Sequence, residues 1–310
     1  MTVQEATRKP QAAKKPQVAI MNAVHDLPVL VARDAGFFRD EGLDIDFVTT
    51  PGMAQVTTKH FVKFDSVFDR PLDSAYNEGG IDQFRMCEWG IMKRAVEAEA
   101  EGLRHRRIVA LGASMSMFAI VVNRDSRFYE PEMLKDQPIA VTPNNGSHFT
   151  TLKMMEGFCT PEHVKTTGAG SMPKRLQALR EGKVAAVSLM EPWISVAQKQ
   201  GLRILIESHS TRSEAAGDDL DGPTLAKMFR AQARAVELLE KDPRPYVHYL
   251  VAETGGLLEP HELQTWRLLH APPQPYTRER FEDTYNWTVK WNMVVPGATY
   301  ENTVDNRAWR

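Results

Sequence analysis

The chain has 310 residues, 42% of them hydrophobic and 25% charged, which is enough for two α/β lobes and too apolar for a disordered chain. Its formal net charge of -2 leaves no basic surplus for gripping nucleic acid or an anionic membrane. Cys87 and Cys159 make neither a metal-type pair nor a disulfide framework, and no zinc spacing, Walker loop or serine elbow is present, so neither a metal nor a cofactor is expected.

Residues 1–17 are polar and carry Arg8, Lys9, Lys14 and Lys15 without the apolar stretch of a secretory signal. They read as a tail, and a cytosolic location is the expectation. No run approaches the roughly 18 apolar residues that a membrane span needs, so insertion into a membrane is not expected.

From there short β-like runs alternate with helical ones, the pattern of a mostly parallel sheet with crossover helices. Gln17 to Asn22 is the first expected strand, Leu27 to Glu41 a helix stopped by Gly42, and Leu43 to Thr49 a second strand. Met53 to Gly79 is a long polar segment sprinkled with aromatics, a length that usually carries function or short helices. Ile81 to Met86 reads as a strand, Glu88 to Glu101 as a helix, and Arg107 to Ala113 and Phe118 to Asn123 as two further strands.

Asp136 to Thr142 is a strand that leads through Asn144-Asn145-Gly146-Ser147 into a helix from about His148 to Gly157. A short strand at Thr166 to Ala169, a helix at Pro173 to Glu181 and a strand at Val184 to Met190 follow. Ile194 to Gln200 and Arg203 to Glu207 close the alternating series. Beyond Gly222 the pattern turns helical: Pro223 to Glu240, Pro243 to Glu253, Pro260 to Leu269 and Arg278 to Lys290. Proline near several of these starts is the usual N1 preference.

Three segments resemble the class II periplasmic solute-binding proteins, in the branch that serves sulfonates, taurine and thiamine-pyrimidine precursors. The first is His25-Asp26-Leu27-Pro28 with Ala35-Gly36-Phe37-Phe38 and Gly42-Leu43-Asp44-Ile45. The second runs from Leu134 to Thr142 and on into the Asn-Gly-Ser helix start. The third runs from Leu176 to Val187 and then Glu191-Pro192-Trp193. The resemblance spans most of residues 18–207 in order. It implies an α/β fold of two lobes, with the ligand in the cleft between them. Lobe 1 would be discontinuous, residues 18–115 and 208–310, and lobe 2 would be the insertion 116–207.

The turn of Asn145, Gly146, Ser147 and His148 opens a helix, whose free N–H groups and dipole suit a carboxylate, sulfonate or phosphate; the alternative is a plain capped helix. His25 ends the first strand, where members of the resembled family contact their ligand, and an imidazole there can donate, accept or titrate; the alternative is capping the next helix. Cys87 precedes a helix, a position that can lower a thiol pKa, although small buried cysteines are common in cores.

His60-Phe61, Arg70 and Gly79-Gly80 also resemble the aromatic sulfinate desulfinases, enzymes on the same fold. The nucleophilic cysteine of those enzymes follows the first strand, and His25 stands in its place here. Glu191 and Trp193 match the Glu-Pro-Trp element of the binding-protein family, with packing at the hinge as the alternative to ligand contact.

Two readings follow. One is an enzyme of lyase or hydrolase type acting on a small, aromatic or heteroaromatic organic anion. It would have His25, His60 and Cys87 as catalytic groups, and Arg70, Asn145, Gly146, Ser147, His148, Glu191 and Trp193 as binding groups. The other is a non-catalytic binding protein of an importer, whose partner would be a membrane permease. The reading leans to the enzyme.

Overall fold

The computed structural model describes residues 15–49, 71–294 and 296–310 of the chain. Strand β1 (Gln17–Ile20) leads into helix α1 (Ala23–Asp34), where the Asn22 side chain accepts the His25 N–H as an N-cap. The helix begins before Leu27 because this cap and the apolar run Ala23-Val24 already favour it. It stops before Glu41 because Gly36 turns left-handed at φ 79°, and only a short helix, α2 (Phe37–Asp40), follows. Strand β2 (Asp46–Thr49) then pairs in parallel with β1, Gln17 opposite Asp46.

Helix α3 (Pro71–Asn77), strand β3 (Gln83–Cys87) and helix α4 (Glu88–Ala100) come next. The two strands expected on either side of residues 114–117 are one, β4 (Arg107–Val122). Gly112, Ala113 and Ser114 interrupt its apolar pattern, but a pairing irregularity between Leu111 and Met115 carries the strand across.

The second crossover series is β5 (Pro138–Val141), α5 (Gly146–Met155), β6 (Lys165–Gly168), α6 (Met172–Arg180), β7 (Ala186–Met190) and α7 (Trp193–Lys199). Strand β8 (Arg203–Ala216) runs well past Glu207. Helices α8 (Gly222–Lys241) and α9 (His248–Ala252), strand β9 (Leu268–His270), and helices α10 (Arg278–Lys290) and α11 (Tyr300–Thr303) complete the chain.

The strands form one nine-stranded sheet in the order β2-β1-β3-β8-β4-β7-β5-β6, with β9 on β4. Strands β4 and β8 are antiparallel partners along most of their length, from Arg107 opposite Ala216 to Val122 opposite Arg203. At one end β8 borders β3, and at the other β4 borders β7. The half-sheet β2-β1-β3 and the half-sheet β7-β5-β6 are therefore joined by two long strands that belong to both.

The expected helix over Pro260–Leu269 is instead two 3-10 turns and β9. The middle of β4 has β8 on one side only, and its free N–H and C=O groups need partners. Strand β9 supplies them at Ser114–Ser116, and Gln274 does so at Leu111. Most buried apolar side chains of both halves pack as one continuous cluster. Among the described residues no helix is long and apolar enough to cross a membrane.

Candidate functional site

The polar floor of the molecule lies on one face of β3 and β8. Side chains on a strand alternate between faces, so Gln83, Arg85 and Cys87 share a side with their partners' Glu214 and Arg212. Gln83 Nε2 and Arg85 Nε donate to Glu214 at 2.7 and 3.1 Å. Arg85 Nη1 donates to Asp26 on α1 at 2.7 Å and to the Ala19 carbonyl at 3.1 Å. The other Asp26 oxygen accepts the backbone N–H groups of Met21 and Asn22. Burial raises the Glu214 carboxyl pKa while the Arg85 charge opposes the rise. Arg85 thus has two buried carboxylates.

Arg212, its neighbour on that face, has none. It is 1% exposed and makes no ion pair among the described residues. Its Nε donates to Ser116 Oγ at 3.1 Å, its guanidinium lies 5.5 Å from the centre of the Phe118 ring, and its charge acts on the Cys87 thiol. Arg212 Nη2 is buried and has no partner among the described residues. Burial lowers the Arg212 pKa from its ordinary value, but a guanidinium stays charged even so.

Across from this cation stands the N-terminus of α5. A Cβ on Gly146 would lie 3.1 Å from Arg212 Nη1 and 3.3 Å from Nη2, so glycine is what lets the guanidinium reach the helix start. The turn before it is held by its own side chains. Asn145 caps the helix by accepting the Gly146 N–H, Thr142 N–H donates to Ser147 Oγ at 2.9 Å, and Asn144 N–H donates to His148 Nδ1 at 3.2 Å. His148 Nε2 lies 3.2 Å from Thr166 Oγ1, and burial pushes its pKa down to about 4. The Ser147 and His148 side chains therefore build the turn. Trp89 of α4 stacks on Phe149 with ring centres 5.7 Å apart, and Trp287 of α10 donates to Glu156 at 2.7 Å, so α5 is held at both ends.

His25 is 8% exposed, in the first turn of α1. Burial, and then the charges of Arg212 and Arg85, hold its imidazole pKa well below the usual range, so it is neutral at physiological pH. Its Nε2 is buried and has no partner among the described residues. Cys87 is fully buried, and burial pushes its thiol pKa up while Arg212 and the Gly90 N–H pull the other way. The lowering expected from a helix N-terminus is overridden by desolvation.

Glu191 also has partners other than those expected. It accepts from Ser195 Oγ at 3.0 Å and from Arg267 Nη1 at 3.2 Å, tying β7 to the segment just before β9. Trp193 is buried in the apolar core. His60 and Arg70 lie outside the described residues.

The structure thus gathers His25, Cys87 and Gly146 around Arg212, a residue the sequence reading passed over. Ser208 to Glu214 contains no apolar side chain, so it carries no hydrophobic strand signal. The signal that was there is the alternation of Ser210, Arg212 and Glu214, with Ser114 and Ser116 on β4. Ser210 lies opposite Ser116, and the Ser114 and Ser210 hydroxyls are buried without partners.

No family model matches the chain, and no curated protein does. Solved structures do. The alkanesulfonate-binding protein SsuA from Xanthomonas axonopodis pv. citri, bound to MOPS, superposes at a TM-score of 0.69 with 16% identity over 93% of this chain and 96% of its own. A Candida albicans protein described as having the generic periplasmic binding protein fold gives 0.68 with 12% identity over 95% and 97%. The fold is that of the periplasmic binding proteins. An enzyme shares it: the desulfurization enzyme DSZB superposes at 0.57, with 13% identity over 95% of this chain and 98% of its own. The polar face around Arg212 is carried by β3 and by β8, one of the two long strands shared by both half-sheets.

Proposed function

We propose that this chain holds one small organic anion between its lobes, with Arg212 as the cationic contact and the N-terminus of α5 facing it. One observation carries the reading: among the described residues the buried, charged Arg212 forms no ion pair, the charges of Glu88 and Asp26 reaching it only from beyond contact distance, while Arg85 beside it pairs with two carboxylates. A buried charge without a partner costs several kcal/mol, and an anionic ligand removes that cost. The neighbours' ligands support the class: MOPS, an organic sulfonate, in one and biphenyl-2-sulfinic acid in a DSZB variant.

The test is native mass spectrometry and calorimetric titration with a panel of carboxylates, sulfonates and sulfinates. Wild type binds at least one, and Arg212→Met loses at least about tenfold in affinity, or about 1.4 kcal/mol. Equal binding by Arg212→Met would overturn the assignment.

A second reading, in which the ligand is also transformed, is favoured by the contact between Arg212 and Cys87: a thiolate formed there would have its counter-ion in place. It requires turnover of a bound anion that Cys87→Ser abolishes. The raised thiol pKa makes holding the ligand the stronger reading.

A further inference from the structure

Asn22 does two things with one amide. Its Oδ1 accepts the His25 backbone N–H at 3.1 Å, and its Nδ2 lies 2.9 Å from His25 Nδ1. The first contact decides the second, because the reversed amide would set two N–H donors against each other at the helix start. With the oxygen committed to the backbone, only the amide nitrogen faces the ring, and an amide nitrogen donates. Nδ1 must therefore accept, and the single proton of the neutral imidazole sits on Nε2. That Nε2–H is buried and has no acceptor among the described residues. A buried donor left in this state costs about 1–3 kcal/mol.

The nearby carboxylates do not meet it. Both oxygens of Asp26 are engaged by Arg85 and by the backbone N–H groups of Met21 and Asn22. Glu214 is bound by Gln83 and Arg85. The other unpartnered nitrogens on this face, Arg85 Nη2 and Arg212 Nη2, are donors too. We infer that Asn22 locks His25 as an Nε2–H donor to the ligand, and that the group it meets is a fully deprotonated oxyanion, a carboxylate or a sulfonate.

This rests on the anion reading above and adds two things to it: a positioning residue, Asn22, and a role for His25 as donor in place of acid or base. With its lone pair turned toward Asn22, His25 has none to offer the ligand as a general base. A group that offers these donors only an O–H or N–H would set donor against donor and be rejected, and a protonated acid, with one acceptor oxygen in place of two charged ones, would satisfy fewer of them.

The experiment is a long-range ¹H–¹⁵N correlation on histidine-labelled full chain at neutral pH, paired with titration of benzoate and benzenesulfonate. The expected spectrum shows His25 with a bare Nδ1 and a protonated Nε2. Asn22→Asp keeps the capping oxygen but sets an acceptor against Nδ1, so the proton moves to Nδ1 or the ring takes a second one. Anion affinity then changes at least about threefold while the melting temperature stays close to wild type. His25→Gln, which keeps an N–H where Nε2 stood, retains more affinity than His25→Leu. An Nδ1–H tautomer in the wild type, or unchanged binding by Asn22→Asp, overturns this inference while leaving the anion site standing. Failure of the wild type to bind either probe or any other anion of the panel overturns the anion reading itself.

Discussion

Arg85 and Arg212 are neighbours on one sheet face and equally removed from water, yet their surroundings are opposites. Arg85 is matched by Asp26 and Glu214, and those contacts tie α1 to β3 and β8. Arg212 is met by a hydroxyl, an aromatic ring, a thiol and a helix N-terminus, none of which neutralises it. A fold that needed only stability would treat both alike. The difference fits Arg85 as part of the scaffold and is the ground for proposing Arg212 as the ligand contact.

The sharpest way to break this contrast is to remove a carboxylate from the matched end. Glu214→Ala leaves Arg85 short of a partner and the Gln83 amide without its acceptor, and is expected to cost about 3–5 kcal/mol in urea unfolding. Arg212→Met is expected to go the other way. It removes a buried charge that forms no ion pair among the described residues, so stability holds or rises by roughly 1 kcal/mol or more while anion binding falls. A loss at Arg212→Met as large as at Glu214→Ala would erase the distinction.

Acid offers a third test, at the turn that carries Gly146. Burial holds His148 near pKa 4 in the folded chain, against about 6.5 for an ordinary histidine. Between those limits the unfolded chain binds more protons, so stability rises with pH and is lost as pH falls from about 6.5 toward 4, by up to roughly 3 kcal/mol. His270, also held near 4 by burial, adds to the same window. His148→Asn, which keeps an acceptor for the Asn144 N–H, should flatten the profile measured by urea unfolding at successive pH values. The smallest effect is expected from Gly146→Ala. Its methyl would press on the Arg212 guanidinium at 3.1 Å, costing about 1 kcal/mol of stability with a several-fold weaker titration by anion.

How far these contrasts could be read in advance depended on where the signal lay. Helix α10 was legible to the residue at Arg278–Lys290, because an N-capping Thr277 and a periodic apolar face are local features. The crossover series from β5 to α7 was legible for the same reason. The helix expected over Pro260–Leu269 was not formed, because the unpaired middle of β4 recruits Leu268–His270 as a strand. The continuation of β8 beyond Glu207 was hidden because its residues are polar. They are strand only by pairing with β3 and β4.

His25, Cys87 and Gly146, singled out in the sequence as following expected strands, all lie near Arg212. Their roles were not legible in the sequence. Proximity to Arg212 and depth of burial set whether a histidine is a donor and whether a thiol is protonated, and neither quantity belongs to a single segment.

By itself the order of apolar runs, caps and glycines determined that this chain alternates strands and helices. Only the tertiary structure decided which buried arginine has its counter-charges in contact and which does not. Counter-charges come from strands and helices far apart in the chain, and a desolvated charge is sensitive to the few groups that pack against it.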